Sequence, residues 1–293
     1  MSPATAVPRL AIVAAGAMGS AVAKRMTSFG CTVYTNLDER SAASRKRAEE
    51  AGMIDVPIPE LVQKSEWILS ILPPRDAVSF AERIIGGAGH GKRPTFVDCN
   101  AVNPETIKRI AGLFAGTGFG FVDAGIFGHP PKDSYDPTFY ASAEDERILD
   151  EFAVLGKYGL RVSTLKGEGA GIGDASALKM SYSGITKGTI GLYTTMVLAA
   201  HASSPATADA LMKELKISQP AMLGLLVKYV PDMVPKAYRW IGEMEEIGEF
   251  VGGCEAGVYR GLAKVYERVE GSIAGDQADV ETLKDFVEEA KKL

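Results

Sequence analysis

Cysteine is scarce in this chain: Cys31, Cys99 and Cys254 are spread over 293 residues, and no two stand at a pairing distance. Neither a disulfide framework nor a zinc site is expected, no metal site is predicted, and a reducing compartment suits the composition. A basic excess is also missing. The formal net charge is −5, which gives nucleic acid and anionic membranes no electrostatic hold. The longest apolar stretch, residues 175–200, is interrupted by Lys179, Lys187 and several small polar residues, so it reads as a buried helix and not as a membrane span. Proline breaks the opening MSPATAVPRL, which does not read as a signal peptide, and the cytoplasm is the expected location. What is present is ordinary for a soluble globular protein, 46% hydrophobic and 24% charged residues, in a chain long enough for about two domains.

Short β-branched runs alternate with helical patterns through the first half. Leu10–Ala14, Thr32–Thr35, Trp67–Leu72, Thr95–Asp98 and Gly120–Asp123 read as strands, with helices near 17–29, 41–51, 75–85 and 104–114. Such alternation predicts a parallel sheet covered on both faces by helices. Thr138–Ala141 and Leu160–Ser163 read as further strands flanking a helix at Glu144–Leu155. The glycine-rich segment Lys166–Gly173 ends the pattern, and only helices follow. The first begins near Asp174 and runs almost unbroken to His201, with breaks expected at Ser203-Ser204-Pro205, Pro220, Pro231 and Pro235. Val280–Leu293 reads as a charged helix with a solvated face. The predicted architecture is a doubly wound, Rossmann-type α/β domain over residues 1–166, joined by a long helix to an all-α domain over residues 167–293.

The most informative segment is RLAIVAAGAMGSAVAKRM, residues 9–26, an apolar strand running through Ala14-Ala15-Gly16-Ala17-Met18-Gly19 directly into a helix. Gly16 lets the backbone approach a pyrophosphate, Gly19 lets helix and strand pack closely, and the helix N-terminus offers N–H groups to the anion. Ala14 stands where the first glycine of G-x-G-x-x-G usually falls. The cofactor-binding expectation covers Ala15, Gly16, Ala17 and Met18. At the end of the second strand Asn36 replaces the carboxylate that usually meets a ribose 2′-hydroxyl, and Arg40 and Ser41 follow as candidate ligands for a 2′-phosphate. NADP(H) is favoured on that ground, while Asp38 keeps NAD(H) open. Arg45–Arg47 read as a basic solvated face. Leu72-Pro73 closes the fourth apolar run and Asn100 the fifth, at carboxyl strand ends where doubly wound sheets bind ligands. Asn100 can equally be a turn residue leading a helix.

Two further segments, Phe121-Val122-Asp123-Ala124-Gly125-Ile126-Phe127-Gly128 and GIGDASALKMSYS at 171–183, complete a pattern. With Gly16–Gly19 and Leu72-Pro73 they resemble the β-hydroxyacid dehydrogenase superfamily, which includes 3-hydroxyisobutyrate and 6-phosphogluconate dehydrogenases and the imine reductases. Nearly the whole chain is similar to a branch with a 6-phosphogluconate-dehydrogenase-like C-terminal domain. The resemblance implies hydride transfer between a nicotinamide cofactor and an alcohol or carbonyl of β-hydroxy acid type. It makes Lys179 the catalytic acid/base, through the family's G-x-G-x-x-x-K-x-x-x-N. Ser183 takes the asparagine position on the same helical face, and Ala175 that of the second glycine. Ser176 and Tyr182 fall three residues to either side of Lys179, where they can assist or simply pack.

At residues 123–129 the family's D-A-P-V-S-G-G becomes Asp-Ala-Gly-Ile-Phe-Gly-His. Gly125, Ile126, Phe127 and Gly128 are the expected substrate-binding residues, with Phe127 in place of a carboxylate-binding serine and an aromatic wall in place of its hydroxyl. His129 is either a replacement donor or a surface residue. The family's Lys-Asp pair in the C-terminal helices is absent from Tyr238–Glu246, where Arg239 and Trp240 are candidates for an anionic or planar substrate and Glu243, Glu245 and Glu246 are expected to face solvent or an interface. The resemblance further implies a homodimer with interlocked helical domains, acting on a small molecule. Two alternatives stay open: an NADPH-dependent imine reductase, and a non-catalytic nucleotide sensor.

Overall fold

β-Branched and aromatic runs too short to be helices pair into one sheet in the computed structural model, which describes residues 7–89, 91 and 93–293. Among the described residues the sheet has eight strands: β1 (Arg9–Val13), β2 (Thr32–Thr35), β3 (Ile54–Asp55), β4 (Trp67–Ser70), β5 (Thr95–Asp98), β6 (Gly120–Phe127), β7 (Thr138–Ser142) and β8 (Arg161–Thr164). They run in the order β3-β2-β1-β4-β5-β6-β7-β8. Helices α1 (Ala17–Ser28), α2 (Ala42–Glu50), α3 (Ile58–Lys64), α4 (Ala77–Gly86), α5 (Pro104–Phe114) and α6 (Glu146–Ala153) make the connections. Chain order reverses between β1 and β4, so the crevice beyond their carboxyl ends is the topological switch point, the place where open α/β sheets bind ligands.

Successive residues of a strand face opposite sides, and the core divides accordingly. Leu10 and Ile12 of β1 join Val33, Leu69 and Val97 on one face of the sheet with Val22 and Met26 of α1. Ala11 and Val13 join Ile68 and Phe96 on the other, with Phe80 of α4 and Ile107 and Phe114 of α5. Each side chain buried this fully contributes roughly 1.5–3 kcal/mol.

The expected helices and seven strands are present, with ends shifted by a few residues. β3 and α3 were not expected: two strand residues carry too little pattern, and α3 is only seven residues long. β6 does not stop at Asp123 but continues to Phe127, because Ala124, Gly125 and Ile126 gain an antiparallel partner in β7. That pairing is the one departure from parallel order among the strand pairs; ten residues of loop, 128–137, turn the chain back without a crossover helix.

By contact the chain divides into two units, Met1–Lys179 and Met180–Leu293, the division falling within α7 (Asp174–Ser203). The second unit continues through α8 (Pro205–Ser218), α9 (Pro220–Met233), α10 (Ala237–Val251), α11 (Ala256–Ala274) and α12 (Ala278–Lys291). Ser204 caps α8 by accepting the Thr207 N–H at 3.1 Å, with Pro205 following where its missing N–H costs nothing. Pro231, expected to break a helix, lies inside the last turn of α9 instead. The final helix is also less solvated than its charge suggested, since Val280, Leu283, Phe286, Val287 and Ala290 form a buried stripe. Among the described residues no helix is long and apolar enough to cross a membrane.

Candidate active site

At the switch point β1 leads through Ala14 and Ala15 to Gly16, the residue preceding α1. No side chain caps this helix, so the N–H groups of its first turn, at Ala17 and Met18, are offered outward. A Cβ at Gly16 would have nothing within 4 Å, which leaves the loop open to a ligand, whereas a Cβ at Gly19 would collide with the Ala14 carbonyl. Gly19 is thus required by helix–strand contact, whereas no protein atom crowds Gly16. The loop is fixed from behind: Ala14 N–H donates to Ile71 O at 3.2 Å, and Arg47 Nε donates to Ala15 O at 3.0 Å. Arg45 also reaches inward, to Leu37 O at 2.6 Å. The basic face of α2 is therefore partly stapled to the nucleotide loops, not wholly solvated, since both guanidiniums find backbone acceptors.

Asn36 is buried, and its amide donates to Asp38 Oδ2 at 2.9 Å and Val56 O at 3.1 Å and accepts from Arg83 Nη2 at 3.3 Å. Beside it lies a polar cavity of about 180 Å³ walled by Asp38, Glu39, Arg40, Leu72, Asp76, Ser79, Phe80 and Arg83. Ser41 caps α2, accepting the Ser44 N–H at 3.3 Å. Asn100 accepts the Leu72 N–H at 2.6 Å and donates to Ser70 Oγ at 2.9 Å, so its amide fixes the loop at Leu72-Pro73. The alternative role of helix leader belongs to Asn103, which caps α5 through Thr106 N–H at 2.8 Å. The uncapped helix, the open glycine and the polar cavity together fit a dinucleotide.

One carboxyl group lies under the start of α7, with a second beside it on the neighbouring strand. Asp123 is fully buried at the centre of β6; its Oδ2 accepts from Gly173 N–H and Ser176 N–H, both at 3.0 Å, and from Ser142 Oγ at 3.2 Å, while Oδ1 accepts from Ser176 Oγ at 2.7 Å. Ser142 in turn accepts the Ala175 N–H at 3.1 Å. Donors that a helix start leaves unpaired are thus met by strand side chains, and a carboxylate there suits the helix dipole. Burial still pushes the Asp123 pKa upward against these bonds. Asp98, also fully buried, is pushed up to about 7 by burial and by the nearby Asp123 charge, with the bonds from Asn100 opposing. Cys99, next in the chain after Asp98, has its thiol pKa raised well above normal by burial.

The helix so anchored carries Lys179, whose Nζ donates to Ile126 O at 2.5 Å and stands 4.8 Å from the centre of the Phe127 ring. Phe127 meets Tyr140 edge-on at 4.9 Å. Gly125 makes room for both: a Cβ there would lie 2.9 Å from Phe127 Cε2 and 3.3 Å from Lys179 Cβ. Gly125, Ile126, Phe127 and Lys179 are therefore brought together. Gly128 and His129 are exposed beyond the strand, with His129 N–H on the Tyr135 hydroxyl at 3.2 Å. Ser176 is committed to Asp123. Further along α7, Ser183 is buried and Tyr182 is 53% exposed.

In the helical unit Trp240 is buried, edge-on to Tyr266 at 5.3 Å, with Lys187 Nζ 5.3 Å from its ring centre. The indole is thus taken up by packing. Glu243, expected to face solvent or an interface, is buried and paired with both Lys187 and Arg239, the latter at 3.1 Å, because two cations converge on it. Sequence reading missed this cluster and the anchoring role of Asp123. A carboxylate inside the apolar run FVDAGIF was the available signal for the latter.

A mostly parallel sheet with an open glycine turn and an uncapped helix at its switch point defines a dinucleotide-binding α/β protein. The chain belongs to the family defined by the NAD binding domain of 6-phosphogluconate dehydrogenase, whose model matches residues 9–167; residues 202–269 match a domain of unknown function, DUF1932. No curated protein matches the chain at significant similarity. Among solved structures it is similar to the conserved protein MTH1747, described as of unknown function with similarity to 3-hydroxyacid dehydrogenases, at 24% identity over 90% of this chain and 97% of that one (TM-score 0.65). A 3-hydroxyisobutyrate dehydrogenase from Salmonella typhimurium is 15% identical over 91% and 95% (TM-score 0.66). An imine reductase from Myxococcus stipitatus, in complex with NADP+, is 17% identical over 96% and 100% (TM-score 0.55). At these identities the likeness is one of fold.

Proposed function

We propose that this protein is an NAD(P)-dependent oxidoreductase acting on an alcohol/carbonyl pair of the broad β-hydroxy acid class, with Lys179 as general acid/base. The observation that carries the reading is the Lys179 amine, held by the Ile126 carbonyl on a helix whose first turn is anchored to Asp123. When bound, the reduced nicotinamide supplies a hydride to the carbonyl carbon. Ala15, Gly16, Ala17 and Met18 hold the diphosphate through the open helix end. Arg40 and Ser41 meet a 2′-phosphate, which favours NADP(H), because Asn36 carries no charge and its amide is already engaged. Leu72 and Pro73, kept in place by Asn100, line the same crevice.

Lys179 as ammonium donates a proton to the oxygen on which negative charge develops; in the oxidative direction the amine removes the hydroxyl proton. Ser183, one turn along, offers a hydroxyl to orient the lysine or the substrate. Association into a homodimer is supported by α7, where Tyr182, Ile185, Leu192 and Met196 form an exposed apolar stripe. Light scattering on the purified protein tests that part.

The activity is tested by following reduced-nicotinamide absorbance with NADP(H) and NAD(H) against β-hydroxy acids and their neutral derivatives, the matching semialdehydes and ketones, and cyclic imines. Carbonyl or alcohol turnover is expected, falling at least about 100-fold in Lys179→Ala. Turnover of imines alone would replace this reading with imine reduction. Cofactor binding without turnover of any of them would make the protein a sensor.

A further inference from the structure

Lys179 is flanked by two electron-rich groups. Ile126 presents a carbonyl oxygen, 2.5 Å from Nζ, and Phe127 presents its ring, with the centre 4.8 Å away. A carbonyl oxygen bears partial negative charge, and an aromatic face is the negative part of the ring quadrupole. Both attract the ammonium, and both repel a carboxylate placed against the same amine. Neither offers a hydrogen-bond donor. The arrangement is built in and not a chance rotamer: Gly125 has no Cβ where one would lie 2.9 Å from the Phe127 ring, and Tyr140 supports that ring edge-on from another side at 4.9 Å.

We infer that Phe127 is a specificity-determining residue which, with the Ile126 carbonyl, selects substrates bearing no ionised carboxylate beside the reacting carbon: neutral ketones, aldehydes, esters or amides of the hydroxy acid skeleton, and their alcohols. The inference rests on the hydride-transfer reading above. In the reductive direction the C=O double bond becomes a C–H and an O–H bond. The hydride comes from the reduced nicotinamide, which leaves oxidised, the proton comes from the Lys179 ammonium, and solvent returns a proton to the amine. A substrate carboxylate would have to lose its hydration beside Ile126 O and the ring without gaining a donor from either, and would compete with Ile126 O for the Lys179 ammonium, whereas an ester or amide carries no charge to strand.

Methyl 3-hydroxybutyrate and 3-hydroxybutyrate serve as the turnover pair, and isobutyramide and isobutyrate, titrated calorimetrically into the nicotinamide-saturated enzyme, as the binding pair. The wild type is expected to favour the ester over the acid at least tenfold in kcat/KM and to bind the amide more tightly than the carboxylate. Phe127→Ser, which supplies a hydroxyl donor, is expected to narrow both ratios at least tenfold, while Phe127→Leu, which keeps an apolar wall, preserves them. Wild-type preference for the acid or for isobutyrate overturns the inference, as does an equal change of ratio in the two variants. Amide preference in binding with no turnover of either alcohol supports the selective wall and overturns the hydride-transfer reading alone. Turnover that survives Lys179→Ala likewise removes the acid/base assignment and leaves the binding comparison to decide the role of Phe127.

Discussion

Asp98 and Asp123 are register partners on neighbouring parallel strands, each closing the same triplet: Phe96-Val97-Asp98 lies alongside Phe121-Val122-Asp123, residue against residue. Both carboxyl groups are fully buried. Asp123 spends its oxygens on the start of α7, whereas Asp98 accepts from Asn100 N–H at 2.9 Å through Oδ1 and its Oδ2 has no hydrogen-bond partner. Two adjacent buried carboxylates cannot both ionise cheaply, so Asp98 is the one that keeps its proton.

Stability is therefore expected to fall as pH rises across the neutral range. The Asp98 pKa is raised from 3.8 to about 7 by folding, so between those values the folded state binds the proton that the unfolded state has lost. The cost begins above the unfolded value, grows by up to about 1.4 kcal/mol per pH unit, and is complete once pH exceeds the folded value. Melting temperatures from pH 5 to pH 8 should decline in the wild type and flatten in Asp98→Asn. A parallel decline in the variant would mean that Asp98 is not the group responsible.

Gly16 and Gly19 make opposite predictions although they stand in one loop. Alanine at 19 would drive its Cβ into the Ala14 carbonyl, a steric cost of about 1–3 kcal/mol, so Gly19→Ala should lower the melting temperature as well as weaken cofactor binding. Alanine at 16 meets no protein atom within 4 Å, so Gly16→Ala should melt like the wild type yet bind NADPH at least tenfold more weakly, as read by nucleotide fluorescence. Unchanged NADPH binding in Gly16→Ala would remove the diphosphate from this turn.

Arg40 should matter to one cofactor and not to the other. It lines the polar cavity beside Asn36, and a guanidinium meets a 2′-phosphate but gains little from a 2′-hydroxyl. Arg40→Ala is expected to raise KM for NADPH about tenfold and to leave KM for NADH within about threefold, a selective loss of about 1.4 kcal/mol. Equal loss for both would assign Arg40 to a part of the nucleotide that the two share.

The helical unit stakes stability on a buried charge. Glu243 is 4% exposed and pairs with Lys187, itself facing the Trp240 ring. Removing Lys187 leaves the carboxylate with the half-exposed Arg239 alone, so the loss should be a large part of the about 3–5 kcal/mol that breaking a buried pair costs. Lys187→Met should show this in urea unfolding, and Lys187→Met with Glu243→Leu should recover most of it. A loss below about 1 kcal/mol in the single variant would show that water reaches the pair.

How much of this was legible depended on whether neighbours in sequence or in space carried the information. The strand–turn–helix at the start of the sheet was readable because strand, glycines and helix start are consecutive, and the helix that carries Lys179 because its residues follow one another without a break. The extension of β6 to Phe127 was not, since only pairing with β7 makes Gly125–Phe127 a strand. Glu243 was misread for the same reason: within Tyr238–Glu246 it looks like any surface acid, and its cation Lys187 lies on a different helix. The paired carboxyls were half visible. The repeated Phe-Val-Asp stands in the sequence, but its meaning needs β5 and β6 side by side in register.

Asn100 offers the sharpest separation of hydrogen bonding from charge in the first unit. Its side chain accepts the Leu72 N–H at 2.6 Å and donates to Ser70 Oγ at 2.9 Å, and its own N–H donates to Asp98. Asn100→Ala removes both side-chain bonds at every pH and leaves a buried N–H without a partner, a loss of about 1–3 kcal/mol. The loop at Leu72-Pro73 then loosens, and NADPH affinity should fall with it. Asn100→Asp behaves differently. A carboxyl oxygen still accepts from Leu72 N–H, and the Ser70 hydroxyl can rotate to donate where it now accepts. What changes is charge: a third carboxyl joins Asp98 and Asp123 in a buried layer that already holds Asp98 at about 7. The variant should therefore melt close to wild type at pH 5, where the added group can stay protonated, and well below it at pH 8. Melting curves at both values separate the two roles. A deficit in Asn100→Asp that is the same at pH 5 and pH 8 would mean that bond geometry, not charge, governs this position.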